Sequence, residues 1–196
     1  MSTPSAPDGR PTRGRRLYAP TVLGLLAAGG VAWFALGRVW GRTTLSPDGL
    51  PADTVEVTGR EAVPLAAALA VVVVTVALAV LATRGRGRQV VGVLAVLLGV
   101  GGGWLALRAG AASEDAVAAA AEQSPAYTGE APDTMELTAW PWLAGAGFGA
   151  AAVLGAGVVR HGRGWPGLSG RYERPSVRRV DDDPWKALDE GRDPTV

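Results

Sequence analysis

Hydrophobic residues are concentrated in four long blocks, without the regular spacing of an amphipathic helix or strand. The blocks cover residues 20–40, 63–83, 90–108 and 140–159. A helix needs about 20 mostly apolar residues to cross a hydrocarbon core of roughly 30 Å, and each block is about this long. Lipid offers no water to unpaired backbone groups, and the blocks do not alternate polar with apolar residues, so helices are predicted rather than a barrel. The pattern predicts an all-α polytopic membrane protein with a four-transmembrane-helix bundle.

The blocks differ in hydrophobicity and in glycine content. The second block carries no charge and is rich in Val and Leu, whereas the fourth has few large apolar residues and is expected to depend on packing. Small residues at four-residue spacing allow helices to approach closely, and two such pairs in the fourth block are Gly145/Gly149 and Ala151/Gly155. Residues 101–103 are three consecutive glycines. They are expected to allow close helix packing, and the alternative is that they break the helix at a ligand site.

The charged segments between the blocks predict the orientation. Arginines cluster before the first block, in the short turn at 84–88 and after residue 159, whereas residues 109–139 contain acidic residues and no Lys or Arg. Because positively charged flanks stay in the cytoplasm, both termini are predicted on the cytoplasmic side of the plasma (inner) membrane, with the first span an uncleaved signal anchor. In the acidic outer loop, residues 113–123 predict a short helix with Ser113 as its N-cap.

The two ends of the chain are predicted to be polar tails. Residues 1–19 carry too little apolar surface to order themselves, so a disordered cytoplasmic tail is expected before the transmembrane domain at 20–159. The C-terminal tail, 160–196, is expected to be disordered except for a short capped helix at about 184–190. Asp183 can cap this helix, and Trp185 and Leu188 would share one face. That face suggests docking on a partner or on the bilayer, and an ordinary solvated tail is the alternative.

Five tryptophans fall in or near the outer halves of the spans, and they form the first candidate site. An aromatic belt at headgroup depth explains this position without further function, while an aromatic cage around an outward-facing ligand is the sharper alternative. Arg38 and Arg108 lie near the outer ends of the first and third spans, where their side chains can extend to the interface. The five tryptophans are Trp33, Trp40, Trp104, Trp140 and Trp142.

Little in the sequence points to catalysis. The chain has no Cys, and its one His, His161, lies among arginines just beyond the fourth block. No span contains an acidic residue that could serve as a proton relay or ion ligand. We therefore predict a protein that is not an enzyme, with no catalytic residue, no cofactor, no metal site and no nucleic-acid partner.

The order of four spans, the VTGRE segment before the second, the RGRGRQVVG turn and above all the ending WKALDEGRDPT resemble the tryptophan-associated transmembrane proteins of actinobacteria. The resemblance covers most of the chain, and its specific part is the ending. It implies an association with tryptophan biosynthesis and no particular mechanism, so it transfers no catalytic residue.

Two functional hypotheses follow from the residues and the resemblance together. The first is a membrane adaptor whose C-terminal tail binds a soluble cytoplasmic protein. The second is a small transporter, or a transporter accessory, for tryptophan or an indole metabolite, which would need oligomerisation to build a central site. The partners expected are the lipid bilayer, a cytoplasmic protein and a second copy of the chain. The candidate docking residues of the tail are Trp185, Leu188, Asp189 and Asp193.

Overall fold

The computed structural model describes residues 13–46, 52–129 and 134–165, with side chains from Tyr18 onward. Four of its helices are long and apolar enough to cross a membrane, which confirms the predicted fold class of a mostly helical, four-span membrane protein. The candidate spans cover Tyr18–Leu36, Pro64–Ala82, Arg86–Ala111 and Trp140–His161.

The chain also forms a small sheet and two shorter helices between the spans. The elements in chain order are α1 (Arg13–Leu36), β1 (Val39–Leu45), β2 (Asp53–Thr58), α2 (Gly59–Ala62), α3 (Pro64–Ala82), α4 (Arg86–Ala111), α5 (Ser113–Ala121), β3 (Met135–Leu137), α6 (Trp140–His161) and a 3-10 turn (Gly162–Gly164).

The helix limits agree best with the sequence where the hydrophobic signal is strongest. The second block, 63–83, becomes α3 almost unchanged, with Pro64 in its first turn, where a missing N–H does no harm. α4 is longer at both ends than the predicted 90–108. α1 begins within the segment predicted as a disordered tail and ends at Leu36 rather than at residue 40. Residues 1–12 lie outside the described part of the chain.

The four long helices form a closed bundle in which α1 packs on α3 and α6, and α4 packs on the same two helices. Its core is built mainly from small side chains, among them Ala70, Ala95 and Ala151, which are fully buried. Large apolar side chains point outward, as Leu97 (64% exposed) and Val153 (73% exposed) show. Small residues inside and large ones outside are expected of helices that pack closely while facing lipid.

Glycine brings α4 and α6 into backbone contact. A Cβ added at Gly99 would lie 2.6 Å from the carbonyl oxygen of Phe148, and one at Gly155 would lie 2.8 Å from the Cβ of Ala95. Gly145 and Gly155 thus pack against neighbouring helices as predicted, whereas Gly149 has no neighbour within 4 Å of such a Cβ. α4 runs unbroken through residues 101–103, so the alternative of a broken helix there is wrong.

A three-stranded antiparallel sheet caps one end of the bundle, and the sequence analysis did not predict it. β1 is the central strand, with β2 on one side and β3 on the other. The strand sequences VWGRTTL and DTVEVT are rich in the β-branched residues that suit a pleated surface. Residues 39 and 40 were assigned to the first span because they continue its apolar run, but they begin β1 instead.

α5 confirms the short helix predicted in the acidic loop, but the predicted capping was wrong. Ser113 is the first helical residue, and its hydroxyl donates backward to the carbonyl oxygens of Gly110 (2.8 Å) and Ala109 (3.3 Å). The side chain therefore joins α5 to the end of α4. Val117, fully buried, is the residue that holds α5 on the sheet, next to Gly41 of β1.

Candidate functional site

The bundle has two chemically different ends, and each contains candidate functional groups. We call the end with the three strands, α2 and α5 the sheet end. The opposite end, formed by the α3–α4 turn at residues 83–86, the start of α1 and the end of α6, is called the turn end.

The five tryptophans predicted as a belt or a cage do not converge on one point. Trp33, Trp104 and Trp142 are 39%, 66% and 71% exposed, and they lie on three different helices. No two of the five rings are in stacking or edge contact. Their separation on the outer surface fits an aromatic belt and gives no support to a cage.

Trp40 has a structural position inside the sheet end. It is 1% exposed, and its indole Nε1–H donates to the carbonyl oxygen of Ala35 at 3.0 Å, which satisfies an acceptor in the last turn of α1. Its ring lies directly against Gly59, where a Cβ would collide with it. This tryptophan therefore belongs neither to a lipid-facing belt nor to a ligand cage.

The sheet end is closed by interactions between distant segments. Thr138 donates its hydroxyl to the carbonyl oxygen of Val39 at 2.8 Å, and the hydroxyl of Thr43 donates to that of Thr134 at 2.7 Å. Arg42 forms an exposed ion pair with Glu136, Nε to Oε2 at 2.8 Å. These contacts fasten β3, and through it the start of α6, to the hairpin that follows α1.

A cavity of about 240 Å³ opens at the sheet end between α4, β3 and α6. Most of its wall is apolar, and the exposed ring of Trp142 stands at its side. The hydroxyls of Ser113 and Thr138 also line it, but both already donate to backbone carbonyl oxygens. A flat apolar group could therefore be enclosed here with few polar contacts. The lining consists of Leu107, Gly110, Ala111, Ser113, Leu137, Thr138, Pro141 and Trp142.

The turn end is organised around a buried arginine, Arg88, near the start of α4. Its side chain is fully buried, with Nε and Nη2 donating to the carbonyl oxygen of Thr83 (3.1 and 2.7 Å) and Nη1 to that of Gly162 (3.3 Å). These carbonyls follow the last residues of α3 and α6, so one guanidinium joins the ends of two spans. Cations at helix C-termini are favoured electrostatically.

Aromatic rings cover this arginine on the side of the tail. Its Cζ lies 5.1 Å from the ring centroid of Tyr18 and 5.9 Å from that of Trp165, and the two rings meet edge to face. Trp165 is only 6% exposed. A second link runs beside it, where Arg163 donates from Nε to the side-chain oxygen of Gln89 at 2.7 Å. The last described residues of the chain are therefore held firmly against the bundle.

In the sequence, Arg88 is one of three arginines, with Arg84 and Arg86, that indicate orientation, and nothing in that charge pattern predicts its burial. One signal could have separated it from them: Arg88, Gly92 and Ala95 share the buried face of α4 that meets α6, whereas Arg84 and Arg86 are exposed. The tail residues predicted to dock a partner, Trp185, Leu188, Asp189 and Asp193, lie outside the described residues. Within the described ranges, no group of three or more His, Asp or Glu side chains could hold a metal ion.

The comparisons with known proteins identify one relationship. A family model described as "Tryptophan-associated transmembrane protein" matches residues 22–195, from within α1 to the C-terminal tail. Neither a curated protein nor a solved structure matches the chain.

Proposed function

Because the chain belongs to the tryptophan-associated transmembrane protein family, we propose that it is a non-enzymatic adaptor of the plasma membrane. In this role the C-terminal tail binds a soluble cytoplasmic protein of tryptophan biosynthesis and holds it at the membrane. The geometry of the turn end supports this function best, because Trp165, the last described residue of the C-terminal tail, is buried there.

The observation that carries the proposal is the anchoring of Trp165. Its ring is buried against Tyr18 and close to Arg88, which in turn donates to the backbone that ends α6. An ordinary hydrophilic tail needs no such anchor where it leaves the membrane. An adaptor gains from one, because the anchor keeps the chain that leads to the docking segment at a defined place on the bundle.

The charge distribution favours a cytoplasmic position for this end. Arg84, Arg86, Arg160 and Arg163 are exposed around it, and helix α5 at the opposite end carries Glu114 and Asp115 in its first turn. Under the positive-inside rule both termini are cytoplasmic, which brings the tail into the compartment of soluble biosynthetic enzymes.

The test is quantitative co-purification from native membranes, with intact protein compared with Trp185→Ala. A buried Trp at the centre of a small interface typically contributes 2 kcal/mol or more, so we expect recovery of the soluble partner to fall by about thirtyfold. Tyr172→Ala is the matched control, because it removes an aromatic ring from the same tail outside the predicted short helix. Equal recovery of the partner with the intact protein and Trp185→Ala would exclude a Trp185-dependent adaptor.

A second candidate function is that of an accessory that binds tryptophan or an indole metabolite on the outer side. The cavity at the sheet end favours it, since about 240 Å³ bounded by Leu107, Leu137 and Trp142 suits a planar apolar group. A transport path through the bundle has less support. Arg88, at the turn end, is the only fully buried charged side chain among residues 18–46, 52–129 and 134–165, and glycine contacts close α4 against α6.

This candidate is tested by measuring indole binding to the purified protein with Ala111→Phe, which would fill the cavity from its wall. Val153→Phe is the control, because Val153 is 73% exposed on the lipid-facing side of α6. We expect Ala111→Phe alone to abolish saturable indole binding. Binding that is unchanged in Ala111→Phe, or absent from the intact protein, would exclude the cavity as an indole site.

A further inference from the structure

Two arginines at the sheet end lie over aromatic rings. The guanidinium carbon Cζ of Arg38 is 4.1 Å from the ring centroid of Phe34 and 5.6 Å from that of Trp140. Arg60 lies over Trp33, with its Cζ 4.0 Å from the ring centroid. All three distances fall within the roughly 6 Å over which a cation is attracted to an aromatic face. The rings therefore hold both guanidinium groups in defined positions.

The edges of these two guanidinium groups have no acceptor among residues 13–46, 52–129 and 134–165. Neither Arg38 nor Arg60 forms a hydrogen bond or an ion pair with these residues, whereas Arg42 on the same end is paired with Glu136. Glu61, beside Arg60, is engaged in capping α2 through Thr58. A guanidinium carries five N–H donors in its plane, and ring stacking occupies only its face. Within these residues, therefore, no acceptor competes with an anion for the donors of either arginine.

Their position along the chain corresponds to the boundary between hydrocarbon and headgroups. Arg38 comes two residues after the end of α1, and Arg60 comes four residues before the start of α3. The supporting rings are partly exposed on the outer surface of the bundle: Trp33 by 39% and Phe34 by 49%. Lipid phosphate groups lie at this depth, where aromatic residues are also enriched. An anion reaching these donors from the side of the bundle would come from the bilayer.

We propose that Arg38 and Arg60 each bind the phosphate of an anionic phospholipid in the leaflet at the sheet end. The planar fork of a guanidinium matches phosphate bidentately, and an adjacent aromatic ring orients the fork and shields it from water. Arg38, Phe34 and Trp140 form a site in the groove between α1 and α6, with the lipid chain lying along the exposed apolar surface below. Arg60 and Trp33 form the second site beside α1. This assignment is independent of the function of the tail.

The experiment titrates the delipidated full-length protein in detergent with phosphatidylglycerol and measures the fraction of lipid-bound chains by native mass spectrometry. An arginine near the membrane surface contributes about 1 kcal/mol to anionic-lipid binding, so Arg38→Gln and Arg60→Gln are each expected to weaken their own site about fivefold and to leave the other site unchanged. Because the two sites hold separate lipids, the overall constant for binding two lipids should fall about fivefold in each single variant and about twenty-five-fold in the double variant. Arg42→Gln is the matched control, since it removes an arginine of the same end that is paired with carboxylates, and it should bind as the intact protein does.

Further measurements separate the proposal from its alternatives. Arg38→Lys keeps the charge but loses the planar fork, so an affinity between those of the intact protein and Arg38→Gln supports bidentate phosphate binding. Circular dichroism of each variant establishes that the helices are intact. Equal affinities for Arg38→Gln, Arg60→Gln and Arg42→Gln would overturn the proposal. It would also fail if inorganic phosphate competed fully with the lipid, because the site would then serve a free anion.

Discussion

At the sheet end, neighbouring segments are joined by backbone hydrogen bonds: β1 pairs with β2 along six positions and with β3 along three. At the turn end, the spans are joined by side chains, chiefly by Arg88 between the carbonyl oxygens of Thr83 and Gly162. A ladder spreads stability over many similar bonds, whereas a single buried guanidinium concentrates it in one residue. The sheet end should therefore tolerate most single substitutions, and the turn end should depend on one.

The largest loss of stability is expected from Arg88→Met. Methionine is similar in length to arginine but has no hydrogen-bond donors. The substitution removes the hydrogen bonds of Arg88 from the half-buried carbonyl oxygen of Thr83 and from the buried one of Gly162, at a cost of about 2–4 kcal/mol for the two acceptors. Reversible unfolding in mixed micelles, followed by circular dichroism, measures the loss. Arg86→Met, exposed in the same turn, should change the free energy of unfolding by less than about 0.5 kcal/mol. Equal losses in the free energy of unfolding for the two variants would show that the stability of this end does not depend mainly on Arg88.

The next effect is expected from Gly59→Ala at the sheet end. The added methyl group would collide with the ring of Trp40, which is held by its bond to Ala35 and cannot move aside easily, so overpacking should cost about 1–3 kcal/mol. Gly162→Ala is the counterpart at the turn end, where the nearest atom to the added methyl group, Cδ of Arg88 at 3.1 Å, needs to shift by only a few tenths of an ångström. Thermal unfolding of both variants should show the larger loss for Gly59→Ala. The reverse order would mean that the turn end is packed more rigidly than the sheet end.

A smaller effect is expected from Thr58→Ala, which removes the capping box of α2. The Thr58 hydroxyl accepts from the backbone N–H of Glu61, whose carboxylate in turn accepts from the Thr58 backbone N–H at 2.8 Å. Loss of such a cap costs about 1 kcal/mol. Hydrogen exchange should therefore become faster in α2 and at the start of α3. Glu61→Gln, which keeps an acceptor at the same place, should retain most of the protection, and equal exchange in both variants would argue that the cap contributes little.

The smallest effect is expected from Glu136→Gln, which weakens the ion pair with Arg42 between β1 and β3. Both side chains are more than half exposed, at 72% and 51%, so the pair should contribute at most about 0.5 kcal/mol. The difference from the intact protein should vanish at high salt, because exposed charges are screened. Glu122→Gln, exposed at the same end of the bundle, is the control for a general charge effect. A salt-independent loss of more than 1 kcal/mol would show that this single pair, rather than the ladder, secures β3.

The spans were predictable because each is encoded by one continuous run of apolar residues. The sheet was not predictable, because it depends on pairing between segments that are far apart in the chain. α3 needed only a count of uncharged apolar residues between 63 and 83. Only Gly37 and Arg38 separate the apolar start of β1 from α1, and its partner β3 has just three residues. Only the pairing of these distant segments gives them a structure, and segments of three to seven residues are too short for their hydrophobic pattern to indicate which strand pairs with which.

The candidate sites were predictable to a similar extent. Tryptophans near the outer ends of spans predicted an aromatic belt or a ligand cage, and Trp33, Trp104 and Trp142 are exposed on the surface of the bundle. Trp40 and Arg88 looked the same in sequence as their exposed neighbours, although both are buried. Their burial depends on which residues of other helices face them, such as Gly59 and Gly162, and composition and spacing do not contain that information.

The pairing of β1 with β3 also has a consequence for how this protein folds while the ribosome makes it. Arg42 and Glu136 face each other across the sheet but are 94 residues apart in the chain, with two membrane spans between them. Ribosomes add about 5–20 residues per second, so the hairpin of β1 and β2 waits for several seconds with one edge unpaired before its third strand emerges. An open strand edge invites pairing with another chain. Cells making this protein rapidly should therefore be exposed to a brief period of mispairing between nascent copies, which ends when β3 arrives.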